Sequence, residues 1–142
     1  MTTWTATALT EAPPEAVLAA LTDPDAVARW SPVAFDVEDG SGRLRAGTRT
    51  RVSGKLAGVR VGFDVEVHRA DDRRFALSAS GPVSMDVEYD VAPEPDGSTC
   101  VHASVSVDNG SGLRSRMMAE ATNGLLRAGA LSHAVDRIAS IA

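Results

Sequence analysis

"TRTRVSGKLAGVRVGFDVEVH", residues 48–68, carries a period of two on each side of a short break. Thr48, Thr50, Val52, Gly54 and Leu56 alternate with Arg49, Arg51, Ser53 and Lys55. After Ala57-Gly58, the residues Val59, Val61, Phe63, Val65 and Val67 alternate with Arg60, Gly62, Asp64, Glu66 and His68. That alternation belongs to half-buried strands. A two-residue turn at Ala57-Gly58 sets Val52 opposite Phe63 and Thr50 opposite Val65. The same register sets Arg51 opposite Asp64 and Arg49 opposite Glu66 on the other face. One register thus satisfies both faces, which specifies a hairpin. Ala-Gly is not the favoured Asn-Gly turn, so the faces carry the assignment rather than the turn.

The pattern extends in both directions. Phe75, Leu77 and Ala79 form one apolar set, and Val83, Met85, Val87, Tyr89 and Val91 form the next, across a loop at Ser80-Gly81-Pro82. The turn cluster "APEPDGS" (92–98) leads to a last strand through Val101, Ala103, Val105 and Val107. Upstream, Trp4 to Leu9 reads as a first strand. Pro13-Pro14 ends it and suits the first turn of a short helix, Glu15 to Leu21. A second short helix follows, with Asp23 as N-cap, Pro24 at its first position and Ser31-Pro32 as its stop. Downstream of "DNGSG" (108–112), a single helix is expected to run to the C-terminus, ~45 Å long. Its apolar face would carry Leu113, Met117, Ala121, Gly124, Leu125, Ala128, Leu131, Val135 and Ile138. Arg116, Asn123, His133 and Arg137 fall on the other side.

Composition narrows the function. The chain has 142 residues, 44% of them hydrophobic and 23% charged, with a net charge of −5. One domain spanning 1–142 is expected, large enough to bury a core without disulfides or metals. The acidic balance argues against nucleic acid as a partner, because phosphates need a basic face. The local run Arg43, Arg45, Arg49, Arg51, Lys55 and Arg60 is accounted for by carboxylates on the neighbouring strand. Cys100 stands alone, which excludes an internal disulfide and fits a reducing, cytoplasmic setting. The N-terminus shows no signal-peptide pattern, and no stretch approaches the ~20 apolar residues of a membrane span.

Strand, two short helices, an antiparallel meander and a closing helix make an α+β chain. The only element long enough to cover the apolar side of a one-sided sheet is the C-terminal helix. "APPEAVLAALTDPDAVARWSP" (12–32), the strand run and the closing helix together resemble the START-like superfamily. That superfamily has the helix-grip fold and includes polyketide cyclase/dehydrase-type proteins. The resemblance covers essentially the whole chain. It implies a curved sheet of six or seven strands gripping the long helix, with a hydrophobic cavity between them and the two short helices at its rim.

The inward strand residues Thr50, Phe63, Val65, Met85 and Tyr89 are the expected lining, with Met117 and Ala121 from the helix and Trp30 from the rim. Trp30 offers packing area, an N–H donor and a π face, so it reads as an anchor rather than a catalyst. Tyr89 is the best inward polar group, and the threonines can orient a ligand oxygen. His68, His102 and His133 point outward, no pair of histidines has metal-ligand spacing, and no phosphate-binding loop is present, so neither a metal nor a cofactor is expected. Three readings stay open: a non-catalytic carrier or sensor of one hydrophobic or amphipathic small molecule, a polyketide cyclase, aromatase or dehydratase, and a homodimer or partner-binding protein using Met118 and Leu126.

Overall fold

In the computed structural model the described residues are 2–23, 35–37, 44–56, 59–81, 83–108, 113–127 and 129–141. Seven strands form one antiparallel sheet: β1 (Thr2–Thr10), β2 (Phe35–Val37), β3 (Arg49–Leu56), β4 (Val59–Ala70), β5 (Arg74–Ser80), β6 (Ser84–Pro93) and β7 (Thr99–Asp108). Their spatial order is β1-β7-β6-β5-β4-β3-β2, so the meander is closed by pairing the first strand with the last. The helix α1 (Pro14–Thr22) follows β1, while α2 (Leu113–Arg127) and α3 (Ala130–Ile141) end the chain.

The hairpin register read from the two faces of residues 48–68 is the observed one. Val52 pairs with Phe63, Thr50 with Val65, Arg51 with Asp64 and Arg49 with Glu66. On the charged face Arg51 Nη1 lies 2.9 Å from Asp64 Oδ1 and Arg49 Nη2 3.5 Å from Glu66 Oε1. These pairs are solvent-exposed and contribute little stability, about 0–1 kcal/mol each. What specifies the register is the other face, where Phe63, Val65 and Val67 are buried.

Pro13 caps α1 with extended backbone, and Pro14 fills its first turn, as proline can where no N–H is needed. Val17, Leu18 and Leu21 are buried on one side of α1, which packs against β5, β6 and α3. The second short helix expected from Asp23 onward, and with it Trp30, falls outside the described residues.

The closing element differs from expectation. It is not one helix: α2 ends at Arg127 and α3 begins at Ala130, with Gly129 between them at φ +98°. Glycine reaches that left-handed conformation at no steric cost, and it is the usual residue just past a helix end. The break resets the helical phase. In α3 the buried residues are Leu131, Val135 and Ile138, as expected, together with Ala134. In α2 they are Ala119, Thr122 and Asn123, with Leu126 partly buried against the core. At 3.6 residues per turn the two buried faces are offset by about a third of a turn. Met117 is therefore not an inward residue; it is 62% exposed. Asn123, expected outside, is 5% exposed. Leu126, expected to offer an exposed partner surface, packs on the core instead.

Candidate functional site

Because every strand pairing is antiparallel, with one register shift between Val67 and Arg69 of β4, the apolar face of the sheet resolves into transverse rows. One row runs Thr50, Val65, Ala79, Met85, Val107. The next runs Val67, Leu77, Val87, Val105, Trp4. A third runs Phe75, Tyr89, Ala103, Ala6. The third row is closed except at its Ala6 end: Phe75 is 1%, Tyr89 3% and Ala103 0% exposed. The first two rows are not. In them Leu77, Met85 and Val87 remain partly exposed, and so does Val52 opposite Phe63, although all four point to the same side as buried Phe63, Val67 and Tyr89. Solvent thus reaches the middle of the apolar face.

The cover over this face is uneven for a chemical reason. The α3 helix packs on β1, β7 and α1 with Leu131, Val135 and Ile138, and it seals what it covers. The α2 helix packs on β7 and β3, and its buried side chains among the described residues are small or polar, Ala119, Thr122 and Asn123, with Leu126 partly buried beside them. Such side chains bury little apolar area against the sheet. Part of what holds α2 is a specific polar contact. Trp4 Nε1 donates to Asn123 Oδ1 at 2.8 Å, and the Arg127 guanidinium lies over the Trp4 ring, 5.9 Å from its centroid. A buried indole N–H needs an acceptor, and a cation over the ring face adds attraction. Asn123 supplies the acceptor from a helix at the other end of the chain.

The expected lining residues fall into separate groups. Thr50, Val65 and Met85 share one row, and Phe63 neighbours it from β4. Tyr89 lies four residues from Met85 along β6, ~13 Å away, inside the closed part of the core. Burial pushes its hydroxyl pKa well above the ordinary tyrosine value, so the group stays protonated. Ala121 is only partly buried, and Met117 does not join the lining. Asn123 and Leu77 belong at this site and were not singled out from the sequence. The one hint for Asn123 was Gly129 two residues after Arg127, a helix-end signal that breaks the assumed phase.

Thr50 has a further property. Its hydroxyl oxygen is buried and makes no hydrogen bond, the only such side-chain oxygen or nitrogen among the described residues. The other buried threonine whose bond reaches across the fold is satisfied: Thr99 Oγ1 donates to the Ala12 carbonyl at 2.7 Å.

A concavity of about 490 Å³, open to solvent, is lined by Arg49, Asp64, Glu66, Ser78 and Ser80 of the charged face together with Thr50 and Val65. Two of the three histidines also lie on this face: His68 Nε2 is 2.7 Å from Ser78 Oγ, and His102 Nδ1 is 2.9 Å from Thr7 Oγ1. The third, His133, is exposed on α3. No cluster of three or more metal-ligating side chains occurs among the described residues.

The model of a protein family described as polyketide cyclase/dehydrase and lipid transport matches residues 1–138. The chain belongs to this family. No curated protein matches it in sequence. Solved structures share the fold at low identity. Protein CV1439 from Chromobacterium violaceum is 18% identical, with a TM-score of 0.70, over 97% of this chain and 94% of that one. A START superfamily protein from Mycobacterium smegmatis is 17% identical, with a TM-score of 0.65, over 96% and 98% of the two chains. TTHA0849 from Thermus thermophilus is 17% identical, with a TM-score of 0.71, over 98% and 95%. The chain thus has the START-like helix-grip architecture, with its grip made by two helices. Among the described residues no helix is long and apolar enough to cross a membrane.

Proposed function

We propose that this protein binds one hydrophobic or amphipathic small molecule between the sheet and α2, as a carrier or sensor. The observation that carries this reading is the strip Val52, Leu77, Met85 and Val87, an apolar surface that faces the helices yet stays open to solvent. Leaving it open forgoes about 25 cal/mol for each Å² of apolar surface not buried. A ligand covering the strip recovers that free energy as affinity. Membership of a family described in part by lipid transport supports the same reading.

The inward chemistry supports binding over catalysis. The buried polar side chains among the described residues are Thr22, Thr99, Thr122 and Asn123, joined by the Tyr89 hydroxyl. None of these exchanges a proton readily near neutral pH, which general acid–base catalysis requires.

Native mass spectrometry of the purified protein tests the reading directly. A co-purifying apolar molecule, or binding of the neutral dye Nile red at one site, is expected. Val87→Phe, which places a ring in the open strip, should abolish binding while the circular dichroism spectrum is kept. Dye binding that is unchanged in Val87→Phe refutes the location.

A further inference from the structure

We infer that one end of the molecule docks on an anionic lipid surface, through Lys55 and Arg60 of the β3–β4 hairpin and Arg116 and Met117 of α2. The inference rests on the cleft proposed above and names the partner that meets its open end.

The first observation is a break in the charge ladder of the hairpin. Arg49 faces Glu66 and Arg51 faces Asp64, then Ser53 faces Gly62, and Lys55 faces Arg60. Where the pattern calls for a carboxylate at position 60, the chain carries a second cation. Like charges directly opposite each other destabilise a strand pair. Both side chains are exposed, and neither makes an ion pair among the described residues. The place makes the cost greater. Pairing of β5 with β4 stops at Asp64, and pairing of β2 with β3 stops at Gly54. Lys55 and Arg60 therefore stand on a two-stranded projection among the described residues, a marginal structure in water. An anionic partner at that tip converts the repulsion into attraction.

The second observation is what shares this end. The strand β7 also ends here, at Asp108 opposite Ser84, and α2 begins five residues later. The α2 helix packs on β3 and β7 and finishes over Trp4 of β1, so its first turns lie toward β3. Those turns expose Arg116 and Met117, the latter to 62%. A large apolar side chain beside cations suits the boundary between lipid head groups and acyl chains. The open rows of the apolar face also lie nearer this end than the closed row of Phe75, Tyr89 and Ala103. A soluble polyanion would use the cations but leave Met117 in water.

The third observation is the placement of acid. With a net charge of −5, the protein as a whole is repelled by an anionic surface. Asp71, Asp72, Glu94 and Asp96 are exposed on the β4–β5 and β6–β7 turns, at the opposite end of the sheet. Ten residues of β6 place them ~30 Å from the tip, several Debye lengths at physiological salt. Near the tip the exposed carboxylates among the described residues are Asp64, held by Arg51, and Asp108. End-on docking thus presents the cations and screens the distant acid.

The test is co-sedimentation of the full chain with vesicles of phosphatidylcholine alone or with about 30% phosphatidylserine. Binding is expected only to the anionic vesicles, with release in about 0.5 M sodium chloride. Each basic side chain at such a surface strengthens binding about fivefold, so Lys55→Glu should weaken it by about that factor or more. This variant sets a carboxylate opposite Arg60, so its unfolding midpoint should not fall, and loss of docking is separable from loss of the fold. Arg73→Glu, the same charge change on the far turn, should leave vesicle binding unchanged. Equal losses in the two variants, or equal binding to both kinds of vesicle, overturn the inference. Retention on heparin without vesicle binding overturns it in favour of a soluble polyanion. Nile red bound in solution with no vesicle binding refutes the docking and leaves the cleft standing. Lysine-dependent vesicle binding without dye binding supports the docking and refutes the cleft.

Discussion

Replacing Gly129 with alanine is expected to destabilise the protein by about 1–2 kcal/mol, the penalty for an L-residue in left-handed backbone. The magnitude is purely conformational. A Cβ built at Gly129 meets no atom within 4 Å, so steric clash contributes nothing. Gly124 is the control. It lies inside α2, its Cβ position is equally free of neighbours within 4 Å, and its backbone is not left-handed. Gly124→Ala should therefore stabilise by about 0.5–1 kcal/mol, the gain in helix propensity of alanine over glycine. The same chemical change, five positions apart, is predicted to act with opposite signs. Urea unfolding followed by circular dichroism measures both. With a slope of about 2 kcal/mol per molar urea, Gly129→Ala lowers the midpoint by about 0.5–1 M and Gly124→Ala raises it by about 0.3–0.5 M. If Gly129→Ala is stabilising, α2 and α3 are one continuous helix. The phase offset that turns Asn123 inward and Met117 outward would then be wrong, and the site built on it would fall.

Trp4→Phe removes the donor to Asn123 and leaves a buried carboxamide oxygen unpaired; a loss of about 1–3 kcal/mol is expected, and a double-mutant cycle with Asn123→Leu should show coupling above about 0.5 kcal/mol. Phe63→Ala, which empties the position of a side chain only 1% exposed, should cost about 3–5 kcal/mol in chemical denaturation. Asp71 accepts a hydrogen bond from Arg69 and two more from the backbone N–H groups of Arg73 and Arg74, and its carboxyl pKa is lowered to about 2. A depressed carboxylate stabilises the fold above its unfolded pKa and loses that contribution as pH falls toward 2; carboxyl NMR titration should locate this transition, and Arg69→Ala should move it upward. Arg51→Ala, which breaks an exposed pair with Asp64, should change the unfolding midpoint by less than the error of Phe63→Ala, since exposed pairs contribute about 0–1 kcal/mol.

How much of this was legible in the chain depends on the range of the causes. The β3–β4 register was fully legible, because Val52 with Phe63 and Arg51 with Asp64 impose the same alignment from opposite faces, and both signals sit within 21 residues. The pairing of β1 with β7 was not read from the sequence, because its partners, such as Trp4 and Val105, lie about a hundred positions apart and no local pattern encodes it. The α2 face was misread for a physical reason. A wheel drawn through residues 113–142 is anchored by Leu131, Val135 and Ile138, whose apolar signal is strong, and the phase they set was carried back across Gly129. Arg127 followed by Gly129 is a helix-end signal, but Leu125, Leu126 and Ala130 around it read as uninterrupted helix.

Asn123 was placed outside because a polar residue on an amphipathic helix normally faces water. What holds it inside is Trp4, an indole donor 119 positions away, and no local pattern encodes that pairing. The same weakness of signal marks the site. A helix packed on a filled core presents Leu, Val and Ile, as α3 does. A helix whose inward side is Ala119, Thr122 and Asn123 gains too little from apolar burial to be held by packing alone. It is retained in part by the Trp4 bond and the Arg127 contact, which fix its position. Weak amphipathicity in an element that nonetheless stays folded against the sheet is thus what a cleft demands of its cover. On the proposed reading, the polar residues that blur the helical wheel are the ones that face the ligand.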